Sequence, residues 1–165
     1  MSSEQLHLTI QRLSQQIIEN HFPFSNTVII GMQPRGVFLA TKIVQHIQRQ
    51  YPDHKFEYGK LDITFYRDDV HKELHVANQT TLNFTIDKKH VVLIDDVLYT
   101  GRSIRAAMDA LLDFGRAEKI ELCVLIDRRF NRQLPIQPDY TGKAIDSILS
   151  QKVTVDWNSP QVVLH

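Results

Sequence analysis

The residues best suited to chemistry stand together near the middle of the chain. Asp95 and Asp96 follow the apolar run Val91–Ile94, and the small-residue stretch Thr100–Ser103 comes soon after them. In an open α/β sheet, ligands bind beyond the carboxyl ends of the strands, where free N–H groups at a helix start favour phosphate. A glycine permits close backbone approach, and hydroxyl groups add donors. Two adjacent carboxylates suit a ribose diol and a nearby magnesium ion.

The same stretch lacks the signatures of two other phosphate-binding loops. A Walker loop requires Gly-Lys-Ser/Thr, which is missing here, and a dinucleotide fingerprint requires several glycines where only Gly101 is present. The pattern therefore favours a phosphorylated sugar with its own loop type.

With these residues in view, Val92–Ile104 resembles the signature for 5-phosphoribosyl-1-pyrophosphate (PRPP) of type I phosphoribosyltransferases. The flanking stretches Leu61–Asp69 and Leu134–Lys143 are most similar to the PyrR-type proteins, which are pyrimidine operon regulators with uracil phosphoribosyltransferase activity. The resemblance implies Mg²⁺ at Asp95 and Asp96, directly or through ribose and water. It implies PRPP binding by Asp95, Asp96, Val97, Leu98, Tyr99, Thr100, Gly101, Arg102 and Ser103.

Three further segments are expected to complete the site. Gln33–Gly36 follows the first predicted strand, so the same strand-end argument predicts a second anion site there. By resemblance, Pro34, Arg35 and Gly36 hold the pyrophosphate, and Arg35 joins the two aspartates as a catalytic residue. By resemblance also, Tyr66, Arg67, Asp68 and Asp69 form a lid loop that excludes water, while Asp127 and Arg128 lie in the vicinity of the base.

Hydrophobic periodicity predicts the elements that position these residues. Strands alternate with helices, which indicates an α/β fold with a mainly parallel central sheet flanked by helices. The resemblance adds a small hood and a flexible lid, and we expect a single domain over 1–165. Strands are predicted at Thr27–Met32, Phe56–Phe65, Val91–Ile94, Ile120–Ile126, Val153–Trp157 and Gln161–Leu164. Helices are predicted around the apolar stripe Leu6–Ile17, ended by His21–Pro23, and at Gly36–Tyr51 and Gly101–Phe114, with an irregular stretch after Asp127 through Gly142.

Composition narrows the functional classes. Lysine plus arginine equals aspartate plus glutamate at 19 each, so the chain lacks the basic excess typical of nucleic-acid binders. One cysteine, no apolar stretch of about 18 residues and no signal-peptide pattern predict a cytoplasmic protein. The histidines, among them His21 and His90, show no ligand spacing and are predicted to lie on the surface.

Three functions remain open on the sequence. The flanking motifs favour transfer of PRPP to uracil, giving UMP, over transfer to a purine or another base. The third possibility is an RNA-binding attenuation regulator of pyrimidine genes. RNA-binding members of the family carry threonine, histidine and arginine on the first helix, where this chain has Gln11, Gln15 and Asn20. We therefore predict weak or absent RNA binding, although Arg128, Arg129 and Arg132 offer a local patch, and we expect a homodimer or homotetramer.

Overall fold

The computed structural model describes residues 1–66, 79–148 and 150–165, and the site is built on its central sheet. The helices are α1 (Ser3–His21), α2 (Gly36–Gln50) and α3 (Arg102–Leu111). The strands are β1 (Thr27–Met32), β2 (Glu57–Leu61), β3 (His90–Leu98), β4 (Lys119–Arg129), β5 (Tyr140–Asp146), β6 (Val153–Asp156) and β7 (Gln161–Leu164). Short 3₁₀ turns lie at Thr64–Tyr66 and Leu112–Phe114.

Five strands form one parallel sheet in the order β2-β1-β3-β4-β5. One face carries α1 and α2, whose buried side chains pack with Ile29, Val92 and Leu125. The other face carries α3, which packs with Val28, Leu93 and Val124. Because successive strand residues face opposite sides, the central strands are apolar on both faces. The predicted α/β architecture is confirmed, and β6 and β7 form a separate antiparallel hairpin.

Several predicted boundaries were wrong, and the errors concern polar strand residues. The predicted strand Val91–Ile94 continues to Leu98, because β4 pairs with it over that whole length. Arg128 and Arg129 are part of β4, where an irregular stretch was predicted after Asp127. In the same stretch, β5 pairs with β4 from Tyr140 as an edge strand. The second strand is shorter than predicted, because the chain turns at Thr64–Tyr66.

His21 is buried, contrary to the surface position predicted for it. Its Nε2 lies 2.6 Å from the Glu121 carboxylate and 3.1 Å from the Tyr140 hydroxyl, and its Nδ1 lies 3.1 Å from the Thr27 hydroxyl. Burial lowers the pKa of His21, although the neighbouring carboxylate opposes that shift. These partners join the end of α1 to β1, β4 and β5, at the amino-terminal ends of these strands.

No helix in the described ranges is long and apolar enough to cross a membrane.

Candidate active site

The carboxyl ends of β1 and β3 bring the two predicted anion sites together. These strands are neighbours in register, with Gly31 opposite Ile94, so the residues that follow Gly31 and Ile94 meet at one rim. Gln33–Gly36 leaves β1 and enters α2, while Asp95 and Asp96 stand in the last part of β3. Parallel pairing therefore explains why segments about 60 residues apart in the sequence share one site.

A cavity of about 450 Å³ opens where β3 hands over to α3. Its lining consists of Asp95, Val97, Leu98, Tyr99, Thr100, Gly101, Arg102, Ser103, Ile104 and Gln133. Eight of the nine residues predicted to bind PRPP are in this set. Gly101 precedes the first turn of α3 with φ of 92°, a conformation that favours glycine. The N–H groups that begin a helix suit a phosphate at this point.

A second cavity of about 170 Å³ adjoins the first on the side of β1. It is lined by Met32, Gln33, Pro34, Arg35, Ile63, Asp95, Asp96, Val97 and Ser103. The two cavities share Asp95, Val97 and Ser103. The Asp95 carboxylate thus borders both the cavity at the start of α3 and the cavity beside Arg35, an arrangement that suits a ligand with a phosphate at each end.

Ionisation of the Asp95 and Asp96 carboxyl groups is unfavourable where they stand. Burial, and then the charge of Asp96, raise the pKa of Asp95 to about 8. Burial also raises the pKa of Asp96, although the Arg35 guanidinium opposes the shift with its Nε 3.1 Å from Asp96 Oδ2. Two clustered carboxylates with one arginine beside them favour cations and hydroxyl donors over further anions at that point.

Gly36 lies directly against the end of β3, with no room for a side chain between them. A Cβ built on Gly36 would lie 2.5 Å from the Ile94 carbonyl oxygen, 2.8 Å from Asp95 Cα and 3.1 Å from Asp95 Oδ1. Gly36 lines neither cavity, but no larger residue fits there unless the loop moves away from β3. Its role is to bring Arg35 close to the acidic pair.

Residues after β4 brace the loop from Tyr99 to Gly101, which joins β3 to α3. Arg132 donates to the Tyr99 carbonyl and to the Asp127 carboxylate, and Gln133 N–H donates to the Thr100 carbonyl at 3.0 Å. The Gln133 side chain accepts from Arg102 Nε at 2.7 Å and borders the larger cavity. Gln133 was not predicted as a site residue. Its contacts bridge 31 residues of sequence, and a lone glutamine in a loop gives no signal of them.

Asp127 and Arg128 lie at the end of β4, but neither lines the two cavities. The Arg128 guanidinium is buried 3.9 Å over the Tyr99 ring and donates to the Ser147 hydroxyl at 2.9 Å and the Gln151 carbonyl at 2.8 Å. It therefore ties the loop between β3 and α3 to the segment after β5. Their proximity to the base stays a prediction.

The predicted lid is described only at its start. Tyr66 ends a 3₁₀ turn, and its hydroxyl donates to Asp113 just beyond α3. Arg67, Asp68 and Asp69 lie outside the described residues.

Comparisons with known proteins agree with this geometry. The family model described as "Phosphoribosyl transferase domain" matches residues 2–159. The chain is 46% identical over 158 residues to a protein named "Bifunctional protein PyrR" from Limosilactobacillus fermentum, covering 93% of this chain and 86% of that protein. A Bacillus mycoides protein of the same name is 42% identical over 161 residues, covering 94% and 88%.

Solved structures give the same fold at lower identity. A hypoxanthine phosphoribosyltransferase from Staphylococcus aureus matches with a TM-score of 0.70 at 20% identity, covering 90% of this chain and 77% of that one. A hypoxanthine-guanine phosphoribosyltransferase from Bacillus anthracis matches with a TM-score of 0.68 at 18% identity, covering 87% and 79%.

Proposed function

This chain belongs to the phosphoribosyl transferase family, and within it to the PyrR proteins, and we propose that uracil is the base to which it transfers the phosphoribosyl group of PRPP. The observation that supports phosphoribosyl transfer is the pair of adjoining cavities that share Asp95. The larger one, at the start of α3, suits the 5-phosphate, and the smaller one, beside Arg35, suits the pyrophosphate. The ribose then lies between them, against the acidic pair.

The reaction follows from that placement. A nitrogen of the base attacks the C1 carbon of the ribose, the C1–N bond forms, and the bond from C1 to the pyrophosphate oxygen breaks, while the proton of the attacking nitrogen is released to water. Positive charge grows on the sugar and negative charge on the leaving group. Asp95 and Asp96 accept hydrogen bonds from the ribose hydroxyls, and Arg35 donates to the departing pyrophosphate. Positioning and charge stabilisation of this kind supply most of the acceleration in comparable transfers.

The residues present fit a magnesium ion that arrives with PRPP. Within residues 1–66, 79–148 and 150–165, no group of three or more histidine, cysteine or acidic side chains could hold a metal by itself. Mg²⁺ is usually bound through one or two carboxylates together with substrate phosphates and water, and Asp95 and Asp96 offer such a pair. When bound, the ion would offset charge on the phosphate oxygens.

The choice of uracil rests on the PyrR relatives, since no described side chain identifies the base. A panel of bases assayed with PRPP tests it through pyrophosphate release and the kcat/KM for each base. We expect uracil to give the highest kcat/KM. A higher value for hypoxanthine, guanine or adenine would show that the base assignment is wrong. No release with any base would refute the transferase function.

We also propose that the protein works as a homodimer or homotetramer, because most soluble oligomers are homo-oligomers with closed symmetry. Light scattering at micromolar concentration gives the mass directly, and a monomer would contradict this proposal.

A further inference from the structure

The Arg35 guanidinium is held on two sides by the protein itself. Its Nε lies 3.1 Å from Asp96 Oδ2, and its Nη2 donates to the Val155 carbonyl at 2.7 Å. A guanidinium has five N–H donors in a fixed planar fork, so these contacts set its orientation and leave further donors for a ligand. Arg35 borders the smaller cavity, where those donors can meet pyrophosphate.

Val155 belongs to the β6–β7 hairpin, which is itself firmly seated. The Val155 side chain is 2% exposed and packs in the core on the α1–α2 face of the sheet. Val155 pairs with Val162, and the Asp156 carboxylate accepts from the backbone N–H groups of Asn158 at 2.9 Å and Ser159 at 3.0 Å. The carbonyl that orients Arg35 is therefore as fixed as the hairpin.

Trp157 joins this hairpin to the helix that carries Arg35. Its ring is stacked on Phe38 with centroids 6.0 Å apart and planes 23° from parallel. Phe38 stands in the first turn of α2, where its N–H donates to the Arg35 carbonyl at 3.1 Å. Trp157 Nε1 is buried without a hydrogen-bond partner among the described residues, so the contacts of the indole here are made by its ring and not by its polar atom.

We infer that Trp157 is a positioning residue for Arg35. It acts through the hairpin, with the Trp157–Phe38 stack fixing where the Val155 carbonyl stands relative to the start of α2. The inference rests on the proposed function, because it assigns Trp157 to the pyrophosphate side of that site. Pre-organisation of this kind reduces the entropic cost of ordering the Arg35 side chain when the ligand binds.

Removing either side of the stack should weaken pyrophosphate binding selectively. For Trp157→Ala and Phe38→Ala we expect the KM for PRPP and the Kd for pyrophosphate to rise about tenfold, as for a weakened hydrogen bond to a charged group. The KM for uracil should stay within about twofold. Partial unfolding would instead lower the apparent kcat and leave both KM values of the folded fraction unchanged. Phe38 is 50% exposed, so its removal keeps the test valid if the tryptophan variant does not fold.

Two control variants isolate the stack. Trp157→Phe keeps an aromatic ring and removes the unpaired N–H, and we expect it to restore the KM for PRPP to within about threefold of wild type. Phe22→Ala removes an aromatic side chain whose exposure, 46%, is similar to that of Phe38. The centroid of the Phe22 ring lies 4.8 Å from that of Tyr51, and Phe22 stands near the amino-terminal ends of the strands, away from the site. This variant should leave both KM values unchanged.

A double-mutant cycle shows whether the effect passes through Arg35. In an Arg35→Ala background, Trp157→Ala or Phe38→Ala should raise the KM for PRPP by less than about twofold. A further tenfold rise in that background would overturn the inference, as would a wild-type KM for PRPP in Phe38→Ala.

Failure of the inference and failure of the proposed function look different. If wild-type protein binds PRPP and pyrophosphate in calorimetry and the alanine variants bind them equally well, the inference alone is wrong. If wild-type protein binds neither ligand, the proposed function is wrong and the inference falls with it.

Discussion

Replacing Gly36 by alanine tests whether close contact between the loop Gln33–Gly36 and β3 is required for activity. The added Cβ would lie 2.5 Å from the Ile94 carbonyl oxygen, and both it and the Asp95 Cα at 2.8 Å belong to the backbone of β3. Among the described residues, Gly101 and Gly115 are the glycines with positive φ, so the substitution at Gly36 tests the clash and not backbone strain.

The expected magnitude follows from these distances. Relief to an ordinary contact of about 3.4 Å requires the loop and the strand to separate by about 0.9 Å. Displacements of about 1 Å in a positioned catalytic group cost on the order of 100-fold in rate. Overpacking of this kind costs about 1–3 kcal/mol in the free energy of unfolding. We therefore expect kcat/KM for PRPP to fall about 100-fold with a modest loss of stability.

Gly142→Ala is the matched control. Its Cβ would lie 2.4 Å from the Leu125 carbonyl oxygen, a clash of the same kind between β5 and β4, but Gly142 lines neither cavity of the site. Steady-state kinetics and urea unfolding of both variants separate activity from stability. We expect similar destabilisation of both and a large loss of kcat/KM for Gly36→Ala alone. If Gly36→Ala keeps kcat/KM within about twofold of wild type, the reasoning about this contact is refuted.

Three further predictions concern pH and RNA. Burial lowers the pKa of His21 in the folded protein, so the unfolded chain takes up a proton that the folded protein does not. The free energy of unfolding should therefore fall as the pH drops below about 6.5. Equal urea midpoints at about pH 7.5 and about pH 5.5 would contradict this. Burial and the Asp96 charge raise the pKa of Asp95 to about 8, and the ionised form of Asp95 suits a magnesium-bound ligand. The KM for PRPP should therefore rise up to about tenfold per pH unit below about pH 8. A KM that does not change with pH would refute this role of Asp95. In filter-binding titrations, leader RNA of the organism's own pyrimidine operon should bind no more tightly than scrambled RNA. The reason is that Arg128 is buried, while Arg129 and Arg132 pair with carboxylates. Tight binding that is selective for the leader would show that this prediction is wrong.

The sequence predicted the fold best where apolar runs end in turn residues. Thr27–Met32 was predicted with the bounds that the structure shows, because an unbroken buried run stops at a proline-containing turn. β5 was missed because it is an edge strand, with Lys143 and Ala144 exposed and a glycine in its centre. Such a strand forms because β4 offers it a free edge, and the local residue pattern does not predict it.

Within the site, residue types predicted the ligand-facing loops but not their supports. Asp95, Arg35 and the stretch Thr100–Ser103 line the cavities as the motifs indicated. The Val155 contribution was missed because it is made by a backbone carbonyl, which every residue has. His21 was misjudged because its partners come from three other strands, and only the folded sheet brings them together.

The central claim is that the acidic pair at the end of β3 holds the ribose of PRPP during transfer. The most direct measurement is UMP formation from PRPP and uracil by wild type and by the double variant Asp95→Asn with Asp96→Asn, with urea unfolding of both to confirm that the fold is kept. Amides of the same shape lack the charge that the carboxylates bring to the ribose hydroxyls and the magnesium ion, so kcat/KM should fall by at least about 1,000-fold, as expected when two charge-assisted contacts are lost. Turnover by a folded double variant within a few-fold of wild type would contradict the account.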